Sequence, residues 1–138
     1  MILLIAQAVV TGAITFTTLA QGAQSGITEP RQVVVRTPTE WQALWKEHDS
    51  KPAPEVDFSR SAVVGVFLGT RPTAGYGVTI TSVAAKSGVA TVEYLERRPT
   101  PGRMTAQVIT SPFILVTVPR EIEKIEFRRV EKDPHVPR

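Results

Sequence analysis

Short apolar segments of strand length, separated by turn residues, are the feature that most constrains the fold of this chain. Residues 62–68 form a continuous apolar run, which is typical of a central strand covered on both faces. Residues 78–81 and 90–94 alternate apolar with polar side chains, and Lys86-Ser87-Gly88 lies between them. This combination predicts two antiparallel strands joined by a hairpin turn.

Other segments repeat the pattern along the chain. Strands are predicted at residues 13–19, 32–36, 104–110 and 113–118, with a last one centred on Ile125 and Phe127. Turn signals recur about every 8 to 12 residues, as in antiparallel β proteins. With one helix and no βαβ alternation, the prediction is a mainly β (α+β) fold, an antiparallel β-sandwich or open barrel of about seven or eight strands.

The single helix is predicted near residues 38–48. Thr37 is placed to cap it, Pro38 occupies its first position, and Glu40 can return to the capping residue in a capping box. The helix should end before Pro52 and Pro54. One face carries the helically spaced residues Trp41, Leu44, Trp45 and His48. We interpret both tryptophans as anchors to a sheet and not as a ligand platform.

The chain is expected to hold one domain at residues 13–130 and a polar tail at residues 131–138. Residues 1–12 are either a first strand or the remnant of a signal segment, since an apolar run and Ala6-Gln7-Ala8 occur with no basic residue ahead. One hypothesis is that Met1 is not the natural start. A signal peptide at or upstream of the N-terminus would make the protein extracytoplasmic, secreted or periplasmic.

Composition argues against several classes of function. The 16 basic residues are offset by 13 acidic ones, so nucleic-acid binding is not expected, and Arg97-Arg98 and Arg128-Arg129 are interpreted as solvated strand ends. Without cysteine there is no disulfide, thiolate metal site or cysteine nucleophile. The lack of asparagine as well favours a heat-adapted source. No membrane span is predicted.

Histidine chemistry has little to build on, because the chain has only His48 and His135. Asp49 and Ser50 follow His48, but neighbours at a helix end do not form the geometry of a catalytic triad. We expect His48 to be a partly buried histidine whose charged form the helix dipole favours. Zinc ligation by histidine fails for the same shortage of ligands.

Carboxylate pairs are the other candidates for catalysis. Glu55 and Asp57 lie in one loop, and Glu93 and Glu96 flank Tyr94. Such pairs are common, and the sequence cannot place two of them across a cleft. The glycines near residue 75 lack the spacing of a phosphate loop. No catalytic residue, metal or cofactor is therefore predicted.

The turn after the apolar strand is the most informative segment. Proline fixes its own φ and biases the preceding residue toward extended geometry, and glycine permits positive φ, so the turn has a built-in shape. Arginine and tyrosine bracket it, and both are enriched in interface hot spots. It can be read as a recognition loop or as an internal folding corner. The candidate partner-binding residues are Arg71, Pro72, Thr73, Ala74, Gly75 and Tyr76.

Several motifs follow one another in a recognisable order. They are a Gly22 to Ile27 turn, Trp41-x3-Trp45, Val56-Asp57-Phe58-Ser59, the apolar strand, residues 69–76 and Thr110-x-Pro112-Phe113. This order resembles proteins of the PrcB type, which are protease-complex subunits. The likeness to their C-terminal domain covers roughly residues 62–118 and extends more loosely back to about residue 14. Ala74 stands where the family's Gly-x-Arg/Lys-Pro-Thr-Gly-Gly-Tyr signature has glycine.

Residues 71–76 are also similar to the Asn-Pro-Thr-Thr-Gly-Tyr loop of chagasin-type inhibitors, immunoglobulin-like domains that insert this loop into cysteine-protease clefts. Arg71 and Ala74 replace the asparagine and the second threonine. No counterpart of the family's other two loops is found, and without cysteine a lipid anchor does not carry over from the PrcB type.

These resemblances imply a non-catalytic extracytoplasmic protein-binding module, an accessory or inhibitory subunit of a secreted or surface protease. Two alternatives remain open. One is a structural, envelope-associated domain with no protease partner, in which the turn is a folding corner. The other is an unrecognised hydrolase that uses Glu55, Asp57 or His48.

Overall fold

The computed structural model describes residues 11–131, which form eight strands and one helix. The predicted features in residues 1–10 and 132–138 lie outside the described residues. The elements are β1 (Gly12–Ala13), β2 (Thr17–Gly22), β3 (Arg31–Val35), α1 (Pro38–His48), β4 (Ser61–Phe67), β5 (Gly77–Lys86), β6 (Val89–Arg97), β7 (Phe113–Pro119) and β8 (Lys124–Val130).

The strands form two four-stranded sheets that pack face to face. The first sheet has the order β1-β5-β6-β8 and the second has the order β2-β7-β4-β3. The mainly β prediction is confirmed. All neighbouring strands are antiparallel except β6 and β8, which are parallel. This departure arises because β8 follows a strand of the opposite sheet, so its direction is set by the crossing between sheets and not by a hairpin.

Strand β4 is covered on both faces, as its unbroken apolar sequence predicts. It lies between β3 and β7, and its residues alternate between two buried clusters. Val64 and Val66 face the other sheet, whereas Val63 and Phe67 face the helix. Each side chain leaves water, which stabilises the fold by about 1.5–3 kcal/mol for a fully buried valine or phenylalanine.

The helix α1 covers the outer face of the second sheet. Thr37 caps it, because its hydroxyl oxygen accepts a hydrogen bond from the Glu40 amide. The return bond of the predicted capping box differs: the Glu40 carboxylate accepts from the Thr37 hydroxyl and not from the Thr37 backbone amide. The indole N–H groups of Trp41 and Trp45 donate to carbonyls of the following loop, at Pro54 and Lys51. The predicted anchoring face is confirmed, since Trp41, Leu44, Trp45 and His48 are all buried.

Two predicted strands differ in the structure. The strand expected at residues 13–19 is divided between β1 and β2, because the chain crosses from the first sheet to the second at residues 14–16. Ile14 and Phe16 pack against the core between the sheets at this crossing. The strand expected at residues 104–110 is absent apart from one bridge between Thr110 and Arg71, because its backbone runs along a turn and not along a sheet.

The hairpin between β5 and β6 provides a test of the fold. Ser87 and Gly88 both have positive φ, 54° and 84°, as a type I′ turn requires. We expect Gly88→Ala to lower the free energy of unfolding by about 1–2 kcal/mol, because a Cβ is unfavourable in left-handed backbone. Ser87→Asn, which suits the same turn, should leave stability unchanged or slightly raised. Chemical denaturation measures both, and equal stability of the alanine variant would contradict this turn geometry.

Candidate functional site

A buried carboxylate lies beneath the turn that the sequence singled out. Glu96 is on the inner face of β6, and only 3% of its side chain is exposed. Arg71 binds it with both arms, through Nε at 2.8 Å and Nη2 at 3.0 Å, and Arg129 of β8 approaches it at 3.2 Å. The hydrogen bond from Arg71 is the main cause that lowers the pKa of Glu96, and that of Arg71 is raised in return. Glu96 is therefore a charged anchor.

Arg71 also binds backbone groups of the residues before it and of Thr110. Its Nη1 donates to the carbonyls of Leu68 and Thr70, at 3.1 Å each. Its own amide and carbonyl pair with Thr110 at 2.8 and 2.9 Å. The side chain thus points inward, and of the two interpretations of the turn, this residue fits the folding corner.

The other residues of the turn are positioned differently. Pro72 and Gly75 are exposed, whereas Thr73, Ala74 and Tyr76 are half-buried. Gly75 has φ of 97°, and a Cβ there would meet the Pro99 ring at 2.9 Å, so glycine is required by both conformation and space. The structure therefore divides the predicted site into an inward anchor, Arg71, and an outward rim.

A second segment lies against this rim, and we call residues 103–109 the strap. The Ala74 amide donates to the carbonyl of Ala106, and the Thr110 hydroxyl donates to the carbonyl of Thr73. The strap exposes apolar side chains: Met104 is fully exposed and Ile109 is 66% exposed, with Val108 also exposed. We call the strap together with Pro72 and Gly75 the ridge.

Sequence reasoning missed both the strap and Glu96 as parts of the site. The strap was interpreted as a strand because its composition suits one. Glu96 was considered only as half of a carboxylate pair with Glu93, but the two face opposite sides of β6. One signal in the sequence could have identified Glu96. It is a charged residue at a position of β6 where the alternation of inward-facing side chains predicts an apolar one.

The basic pair in β8 lies near the end of that strand and is exposed, as predicted. Its two side chains nevertheless have different partners. They point to opposite faces, so Arg128 pairs with Glu93 at 3.1 Å on the outside and Arg129 reaches Glu96 on the inside. Arg97 and Arg98 end β6 and are likewise exposed, as predicted.

His48 differs from its prediction in charge. It is buried, and its Nδ1 lies 2.7 Å from the Ser25 hydroxyl, which itself accepts from the Ile27 amide. Burial lowers the pKa of His48, which favours the neutral form over the charged form that was expected. Ser25 is also buried, and its oxygen is engaged, so this pair serves the packing of the helix.

The other catalytic candidates, Glu55 and Asp57, line one cleft beside α1 together with Trp41. Glu55 and Asp57 are exposed in the loop after the helix, and Asp57 accepts hydrogen bonds from the amide and hydroxyl of Ser59, which lower its pKa. Residues 11–131 contain no group of three or more acidic, histidine or cysteine side chains that could hold a metal. Within that same range, no helix is long and apolar enough to cross a membrane.

The ion pair beneath the turn generates a stability prediction. We expect Arg71→Ala to lower the free energy of unfolding by about 3 kcal/mol, the low end for breaking a buried pair, because Arg129 still faces Glu96. Arg128→Ala is the matched control, since this arginine is 68% exposed, and it should cost less than about 1 kcal/mol. Urea denaturation measures both, and equal effects would contradict the anchoring role of Arg71.

The buried histidine predicts how stability depends on pH. Because the pKa of His48 in the folded protein lies below its ordinary value of 6.5, the unfolded chain binds more protons just below that pH. Stability should therefore decrease as the pH falls from 7 to 5. His48→Gln should show a smaller decrease over the same interval in urea denaturation. An identical pH dependence in the two proteins would overturn this assignment.

Comparisons with known proteins give one match. A search of curated proteins and a search of solved structures each returned no match. Residues 62–119, from β4 through β7, match the family model described as PrcB C-terminal, in agreement with the resemblance inferred from the sequence. The likeness to this family that the sequence motifs predict is thus confirmed over residues 62–119.

Proposed function

We propose that this protein is a non-catalytic, extracytoplasmic binding module that acts as an accessory subunit of a secreted or surface protease. The observation that carries the proposal is the exposure of Met104, Val108 and Ile109 on the strap beside the turn. Large apolar side chains grouped at one surface are a mark of protein interfaces. The contact surface we propose is the ridge.

The ridge is held on a rigid support, which favours binding. The strap is hydrogen-bonded to the turn at Ala106 and continues into Thr110, which pairs with Arg71. Arg71 is itself fixed to Glu96 inside the sandwich. These backbone segments therefore lose little conformational entropy when a partner binds. A smaller entropy loss gives a higher affinity for the same contacts.

The choice of a protease as partner rests on the resemblance to protease-complex subunits. The extracytoplasmic location rests on the same resemblance and on the apolar run before residue 11. The burial of the Ser25–His48 pair and the bonding of exposed Asp57 to Ser59 support a non-catalytic role over the hydrolase alternative.

The structural alternative also has an observation in its favour. Arg71 is half-buried and bonded to the buried Glu96 as a folding corner would require, so this residue alone cannot serve as a test of recognition. A variant of Arg71 would alter stability and binding together. The test must therefore use side chains of the ridge that make no contribution to the core.

We expect Val108→Ser and Ile109→Ser to weaken capture of the protease partner by about tenfold or more, because truncating an interface anchor costs over about 1 kcal/mol. The immobilised protein is incubated with an extracytoplasmic extract of its source cells, and endopeptidase activity is measured in the eluate. Val89→Ser is the control for the same substitution away from the ridge, since the half-buried Val89 begins β6 at the end opposite Glu96. Thermal unfolding should be nearly unchanged in the ridge variants.

Two results would overturn parts of the proposal. Equal capture by the ridge variants would show that the partner binds elsewhere. An eluate without endopeptidase activity from the unaltered protein would reject the protease and favour the structural, envelope-associated alternative. Peptidase activity of the purified chain alone that disappears in His48→Ala or Asp57→Ala would instead support the hydrolase alternative.

A further inference from the structure

A cleft of about 480 Å³ opens at one side of the sandwich, where the edge strands β3 and β8 face each other. Pro30, Val66 and Leu68 form part of its apolar lining. Its polar lining comes from Arg31, Gln32, Arg71, Tyr94 and Arg129. This volume and this mixture of apolar walls with a few convergent polar groups are typical of ligand-binding clefts.

The charge in the cleft favours an anion. Glu96 carries one negative charge, yet both Arg71 and Arg129 face it, so this cluster keeps one positive charge in excess. Arg129 is 39% exposed, and its other acidic neighbour, Glu131, is 3.9 Å away and 84% exposed, which makes that contact weak. Arg31 brings its own carboxylate partners, Glu29 and Glu47, and so adds little net charge.

Hydrogen bonding in the cleft also favours an acceptor ligand. The Gln32 amide donates to the Tyr94 hydroxyl oxygen at 2.9 Å, so the Tyr94 hydroxyl keeps its own proton to donate. Arginine has five N–H donors, and the described carboxylates engage Arg129 at only two of its nitrogens. A carboxylate suits these donors because it has two oxygens and no proton to place.

The strands that flank the cleft favour a peptide as the source of this carboxylate. Among the described residues, β3 pairs only with β4, so its outer edge offers unpaired backbone groups beside the cleft. An extended peptide can pair with such an edge. The apolar wall at Val66 and Leu68 can then cover the last side chain of that peptide.

We propose that this cleft binds the C-terminal carboxylate of an extended polypeptide that ends in an apolar residue, with Arg129 and Tyr94 as the groups that recognise the carboxylate. The site is separate from the ridge and does not rest on the proposed protease partner. Arg71 borders both surfaces, but it is occupied by Glu96 and acts here as a positioning residue.

The experiment compares two libraries of acetylated hexapeptides with three randomised final residues, one ending in a free carboxylate and the other in an amide. We expect the immobilised protein to enrich the free acids with apolar last residues. The best peptide, measured by calorimetry, should bind about tenfold more tightly than its amide, the loss expected for a charge-assisted hydrogen bond. Arg129→Gln and Tyr94→Phe should each remove most of this preference.

Arg128→Gln is the matched control, because it removes the same charge from the outer face of β8. Equal losses in Arg128→Gln and Arg129→Gln would indicate general charge attraction and overturn the site, as would the absence of any enriched free acid. Hexanoate and inorganic phosphate are measured alongside. If either binds as tightly as the best peptide, the cleft is a small-anion site and the peptide assignment is wrong.

Discussion

The pairing of Arg71 with Glu96 is the interaction on which the organisation of this surface depends. It joins the turn after β4 to β6 across the interior of the sandwich, and Arg129 extends the contact to β8. The buried carboxylate would be costly alone, and the two-armed arginine supplies the hydrogen bonds that make its burial tolerable. Because the Arg71 backbone also pairs with Thr110, the same residue fixes the end of the strap.

The rest of the sandwich provides the frame for that pair. Strand β4 contributes to both buried clusters, and α1 closes the outer face of its sheet through its tryptophans and His48. The first sheet carries no helix in the described residues, and its inner face ends in the charged Glu96. The interior is therefore apolar along most of its length and ionic at one end, beside the turn.

This ionic end separates two surfaces of different chemistry. On one side the strap exposes apolar side chains, which suit a protein partner, and on the other the cleft presents Arg129 and Tyr94, which suit a carboxylate. Arg71 borders both, so its position ties the shape of the ridge to the charge of the cleft. A change at Arg71 would therefore affect both the stability of the fold and the proposed binding. Changes at the neighbouring side chains of the ridge or the cleft would affect binding alone.

The helix, its anchoring face, the hairpin and the central strand can be predicted from the sequence, because they depend on local periodicity, capping and turn residues. The sequence also carries the motifs of residues 62–119 that match the family model. In contrast, the anchoring role of Arg71, the position of the strap beside the turn and the opposite faces of Arg128 and Arg129 are visible only in the folded protein. These features depend on contacts between residues that are distant in the chain. Such contacts are set by strand pairing and burial, which the local sequence pattern does not specify.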